Sequence, residues 1–177
     1  TRRNATLLLS LGMLTQQTGD EEAAMAAYEE VLEKVPQADV AANNLAMLLA
    51  ARGANDPASL ARAVELAAPL AESEQAAFVD TAGWIDFMRG DYERAEELFR
   101  ESLELDRELR GDLHPDVAMG LNILGAILEQ KGELGQAEAS FEEALPIVRE
   151  LYGEEQTGVA DNQRSFAQIR LQQRDPT

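Results

Sequence analysis

Apolar residues recur along this chain at helical rather than strand spacing, and the stretches that carry them are interrupted by short polar turns. Four turns line up: Gly19-Asp20, Gly53-Ala54, Gly90-Asp91 and Gly132-Glu133. From glycine to glycine the intervals are 34, 37 and 42 residues. A period of this size marks a repeat array, whose units bury their apolar faces only by stacking on neighbours. Eight residues upstream of each glycine stand Leu11, Leu45, Ala82 and Leu124, and seven upstream Gly12, Ala46, Gly83 and Gly125. The helix after each turn carries Ala24/Tyr28, Ala63/Ala67, Ala95/Phe99 and Ala137/Phe141. Spacing i, i+4 keeps each of these pairs on one helix face. Small residues let two helix backbones approach closely, and a ring four positions on fills the space between them.

The pattern predicts nine helices, at about 4–18, 20–34, 38–52, 57–72, 75–89, 91–110, 115–131, 134–152 and 156–173. Asp56-Pro57 suits an N-cap followed by proline in the first turn. Pro69 and Pro146 fall inside predicted helices, where each removes a hydrogen bond and predicts a kink or an early end. The final helix is polar over much of its surface, with Phe166 and Ile169 turned inward, as a solvating cap requires. The first helix carries Leu7, Leu8, Leu9, Leu11, Met13 and Leu14, too much apolar surface for one packed face. An upstream repeat or a second copy of the chain is expected to cover it.

These residues resemble the tetratricopeptide repeat, whose pattern is Leu-Gly in helix A, Gly-Asp at the turn, Ala then an aromatic in helix B, and a closing Pro. The first unit reads Leu11-Gly12, Gly19-Asp20, Ala24, Tyr28, Pro36; the third Gly83, Gly90-Asp91-Tyr92, Ala95, Phe99; the fourth Leu124-Gly125, Gly132, Ala137, Phe141. The resemblance implies an all-α, right-handed superhelical solenoid of about four helix pairs plus a C-terminal capping helix. It implies one domain over 1–177, with repeats at about 5–38, 39–75, 76–117 and 118–159 and the cap at about 160–173. The 42-residue interval and Asp112 to Ala118 resemble the long repeats of kinesin light chain. Ala42 to Ala46 through Gly83-Trp84 resembles bacterial repeat proteins of the exopolysaccharide-export type.

Composition narrows the function. The net charge is −18, spread along the chain, which disfavours nucleic acid and anionic membrane as partners. No apolar run is long enough to cross a membrane. With no cysteine, there is no disulfide framework, thiol nucleophile or Cys-ligated zinc site. The compartment stays open. The chain begins at Thr1, which fits a fragment of a longer protein, and only two of its 15 basic residues are lysine, a weak bacterial signature.

No catalytic pattern emerges. His114-Pro115-Asp116 holds the single histidine, and loop closure with Asp116 capping the next helix explains it. Neighbouring carboxylates such as Glu96/Glu97 and Glu142/Glu143 point in different directions on a helix and cannot share a proton. No phosphate loop or dinucleotide fingerprint is present, and neither cofactor nor metal is expected.

The resemblance also implies where a partner binds, because in this family helix A lines the concave groove. The matching positions are Asn43, Asn44 and Met47 in the second repeat, Asp80, Trp84 and Phe87 in the third, and Met119 and Asn122 in the fourth. Asn43 and Asn122 offer amides able to pair with the backbone of an extended segment. Asp80 sets a charge between them, and Met47, Trp84, Phe87 and Met119 supply an adaptable apolar floor. The cations of the family's chaperone-tail clamp are absent: Leu9, Met13, Asn44, Ala77 and Thr81 stand in those places. The expected partner is therefore a protein or peptide segment, neutral or basic, with apolar anchors. Two other readings stay open. One is a structural scaffold, natural or joined from two repeat types near Leu105 to Gly111, without a dedicated ligand. The other is a regulatory domain cut from a larger bacterial protein.

Overall fold

The computed structural model describes residues 2–53 and 55–153. Within them the chain forms eight α-helices and no strand: α1 Arg2–Gln17, α2 Glu21–Lys34, α3 Asp39–Gly53, α4 Pro57–Ala67, α5 Ala76–Met88, α6 Tyr92–Arg110, α7 Pro115–Gln130 and α8 Leu134–Tyr152. The ninth predicted helix, with Phe166 and Ile169, lies outside the described residues. Consecutive helices pair as α1–α2, α3–α4, α5–α6 and α7–α8. The pairs stack through α2 on α3, α5 on both α3 and α4, and α6 on α7. The result is an all-α solenoid.

Local chemistry sets the turns. At the end of α1, Gly19 adopts a φ of 82°, a left-handed conformation in which a side chain would be strained. Its N–H bonds the Gln16 carbonyl at 3.1 Å and the Asp20 N–H bonds the Thr15 carbonyl at 2.9 Å. Asp20 then caps α2 by accepting from the Ala23 N–H at 3.1 Å. The same turn recurs at Gly90-Asp91 and at Gly132-Glu133, the last without a side-chain cap. Asp56 caps α4 ahead of Pro57, accepting from the Ala58 N–H at 3.1 Å.

Gly53 departs from its expected role. It is the last residue of α3, not a left-handed turn residue. A Cβ there would come within 2.8 Å of Leu60 Cβ, so glycine serves close approach of α4 instead. At the other three pairs the predicted ring does fill the gap. A Cβ on Gly12, Gly83 or Gly125 would meet Tyr28 Cε1 at 2.6 Å, Phe99 Cδ2 at 3.0 Å or Phe141 Cζ at 2.6 Å.

The two prolines behave differently. Helix α4 ends at Ala67, and Pro69 sits in the first turn of a 3-10 segment, Ala68–Glu72, as the early end required. Pro146 lies within α8, which continues past it to Tyr152. Pro146 and Glu142 are both exposed, so the interrupted turn lies on the outer side of α8.

The interior divides into two main clusters. One runs from Ala24 and Tyr28 through Leu45, Leu49, Val79 and Ile85 to Leu98, and is rich in alanine. The other runs from Ala95 and Phe99 through Val117, Leu124 and Ile127 to Phe141 and Ala144. The adjacent residues Leu98 and Phe99 of α6 belong one to each, so this helix joins the two halves. Leu7, Leu11, Met13 and Leu14 of α1 remain exposed.

Candidate functional site

Two neighbouring cavities, of about 510 and 540 Å3, lie along the first helices of the second, third and fourth pairs. They share Trp84, Asp116, Met119 and Ile123 and form one groove. Asn43, Met47, Asp80, Trp84 and Met119 line the first cavity; Trp84, Phe87, Met119 and Asn122 line the second. These residues fall on one side of α3, α5 and α7 because their spacing is three or four residues. Trp84 and Phe87 are half-buried with ring centroids 5.5 Å apart, and Phe87 stands 5.7 Å from Tyr92. Met47 and Met119 are exposed.

Asn44 is placed elsewhere. Its amide donates to the Tyr28 hydroxyl at 3.2 Å, and that hydroxyl donates to Gln16 Oε1 at 2.7 Å. This chain of bonds ties α3 to the first pair, and Asn44 lines neither cavity. Asn43 donates to Asn44 Oδ1 at 3.2 Å, which fixes its amide, while its own Oδ1 is buried without a hydrogen bond. Burial of Asp80 drives its carboxyl upward to about 6. The Ser102 hydroxyl donates to it and opposes the rise, Asp106 adds to it, and Arg110 opposes it.

Asp106 and Arg110 of α6 and Asp116 of α7 line the first cavity, and Ser102 of α6 donates to Asp80, although none of the four is among the family's groove positions. The family's groove positions lie on the first helix of each pair and on α7 begin at Met119, past Asp116, whereas the 19 residues of α6 bring its last turns to the cavity wall. A signal was available. Ser102 and Asp106 continue the buried stripe of Ala95, Leu98, Phe99 and Leu103, and polar residues on such a stripe need partners. Arg110 pairs with Asp116 and stands with Nε 3.5 Å from Asp106 Oδ1.

The loop before α7 also differs from expectation. His114, not Asp116, is the N-cap, its Nδ1 accepting from the Asp116 N–H at 3.2 Å. Imidazole nitrogen can accept as a carboxylate does, which frees Asp116 to pair with Arg110.

Family models described as tetratricopeptide repeat match residues 81–150 and 116–177, and another matches residues 5–33. Residues 34–80 lie outside these ranges. No curated protein sequence matches the chain. Among solved structures, BtubC (BKLC) from P. vanneervenii is 22% identical, with 92% of this chain and 70% of that one covered and a TM-score of 0.71. A putative kinesin light chain with nearly identical TPR-like repeats from Podosopora anserina is 18% identical, with 94% and 84% covered and a TM-score of 0.69. MamA protein is 18% identical, with 98% and 95% covered and a TM-score of 0.64. At these identities the likeness is one of fold. Among the described residues no helix is long and apolar enough to cross a membrane.

Proposed function

The chain belongs to the tetratricopeptide repeat family, a generally non-catalytic class of protein-interaction scaffold, and from that premise we propose that it binds an extended segment of a partner protein in the groove along α3, α5 and α7. The observation that carries this reading is the continuity of an apolar floor, Met47, Trp84 and Met119, with the side-chain amides of Asn43 and Asn122 beside it. Methionine and tryptophan adapt to varied apolar anchors, and an amide pairs with peptide backbone whatever its side chains. Asp80 and Phe87 extend the set, and Asn44 holds Asn43 in place. The preferred segment is neutral or basic, because a net charge of −18 repels acidic ones. Peptide display on the full chain, run beside an Asn43→Ala, Asn122→Ala variant, tests the reading. A consensus that enriches on the parent and vanishes on the variant supports it; equal enrichment on both overturns it.

A second reading follows from a separate observation. The exposed Leu7, Leu11, Met13 and Leu14 give α1 an apolar outer face suited to self-association. A sedimentation mass that stays monomeric at high concentration would remove it.

A further inference from the structure

The cavity walled by α3, α5, α6 and α7 is rich in acceptors and poor in donors. Asp80, Asp106 and Asp116 line it, and among its described lining residues the single basic one is Arg110. That guanidinium is already engaged, pairing with Asp116 and standing 3.5 Å from Asp106 Oδ1 without a hydrogen bond to it. Two oxygens in this wall are buried and lack any hydrogen bond: Asn43 Oδ1 and Asp106 Oδ1, the latter on a residue 3% exposed. Buried acceptors are normally satisfied, and a low-dielectric setting makes an unmet one costly. Three carboxylates facing one guanidinium also leave the wall short of positive charge. Apart from Asn43 and Thr81 the rest of the lining is apolar and includes the Trp84 indole, Met47 and Met119. A cation over an indole is attracted by the ring face, and a long aliphatic stem packs well on methionine.

Resting on the groove reading above, we propose that this cavity takes an arginine or lysine side chain of the bound segment, its cation directed to Asp80 and Asp106 and its stem laid against Trp84 and Met47. The site thus inverts the carboxylate-gripping arrangement that the missing cations exclude. It would bring donors and positive charge to a wall in which three carboxylates face one guanidinium. It also sharpens partner choice, since an acidic residue at that position of the segment would meet three carboxylates.

The test begins with random-peptide display on the full chain, followed by titration of an enriched peptide and of its copy in which arginine is replaced by citrulline, a neutral side chain of nearly the same shape. Basic residues should dominate one position of the enriched set. The citrulline peptide should bind about tenfold more weakly or worse, as loss of one partner in a buried charge pair implies. Asp80→Asn and Asp106→Asn should each shrink that ratio toward one, a comparison within each variant that a change in its overall stability does not shift. Enriched peptides without a basic position, or equal binding of arginine and citrulline peptides, would overturn the cation site while the groove reading stood. Failure to enrich any peptide would remove both.

Discussion

The second and fourth helix pairs solve one packing problem in two ways. In the fourth, Gly125 of α7 lies directly under the Phe141 ring of α8, and the ring fills the gap between the helices. In the second, the matching positions are Ala46 and Ala67, both buried, and no ring intervenes. Leu60 instead reaches over Gly53, and α5 packs against both helices of the pair. The fourth pair carries its own filling, whereas the second depends on its neighbour. The residues between the family matches, 34–80, include this alanine-packed pair. The fold survives loss of its most visible side-chain signature because stacking, not the ring, supplies the burial there.

The contrast can be broken by substitution. Phe141→Ala removes a ring 3% exposed and should cost about 3–5 kcal/mol in chemical denaturation, whereas Ala67→Gly at the matching position should cost about 1 kcal/mol or less. Gly125→Ala should cost roughly 1–3 kcal/mol despite the better helix propensity of alanine, because its Cβ would meet Phe141 Cζ at 2.6 Å. Near-neutral behaviour of Gly125→Ala would mean that the ring moves aside and that the two pairs are less different than they look.

The two halves also differ in electrostatics. Tyr28, Gln16 and Asn44 join the first pairs through neutral hydrogen bonds, while the junction of the third and fourth holds Asp80, Asp106, Asp116 and Arg110. Burial raises the Asp80 carboxyl to about 6, above its ordinary range. The folded state therefore binds the proton more tightly than the unfolded chain, and stability falls as pH rises from about 4 to about 6. Asp80→Asn should stabilise the protein by on the order of 1–2 kcal/mol at pH 7, with the gain fading as pH falls through that window. A pH-independent gain would place the cause in packing rather than charge.

The prolines give the smallest effects. Pro146→Ala restores a donor inside α8 and should raise stability by roughly 1 kcal/mol, while Pro69→Ala, in the first turn of a 3-10 segment, should leave it within about 0.5 kcal/mol. Thermal melts of the two variants side by side would separate them.

Helix bounds, apart from the end of α4, expected near 72 and found at Ala67, were legible in the sequence because their causes are local. Apolar period, Asp20 and Asp56 as caps, and glycine followed by Asp each act within a few residues. Features that depend on distant partners were not. Glycine at position 53 looks like its neighbours at 19 and 90, and only the approach of Leu60 distinguishes it. Both Pro69 and Pro146 stand in apolar helical patterns, yet α4 stops before the one and α8 continues past the other. Asn44 looks like a groove residue until Tyr28 is seen to hold it. Asp106 enters the site across a helix junction that spacing along one helix cannot reveal.

Binding of an extended partner segment in the groove of α3, α5 and α7 is tested most directly by titration of a display-selected peptide into the full chain, read by emission of Trp84, the single tryptophan. Binding that shifts this emission, and that weakens about tenfold or more in the Asn43→Ala, Asn122→Ala variant while helical content is unchanged, is the predicted result. Equal affinity of parent and variant, with Trp84 emission unmoved by the peptide, would contradict it.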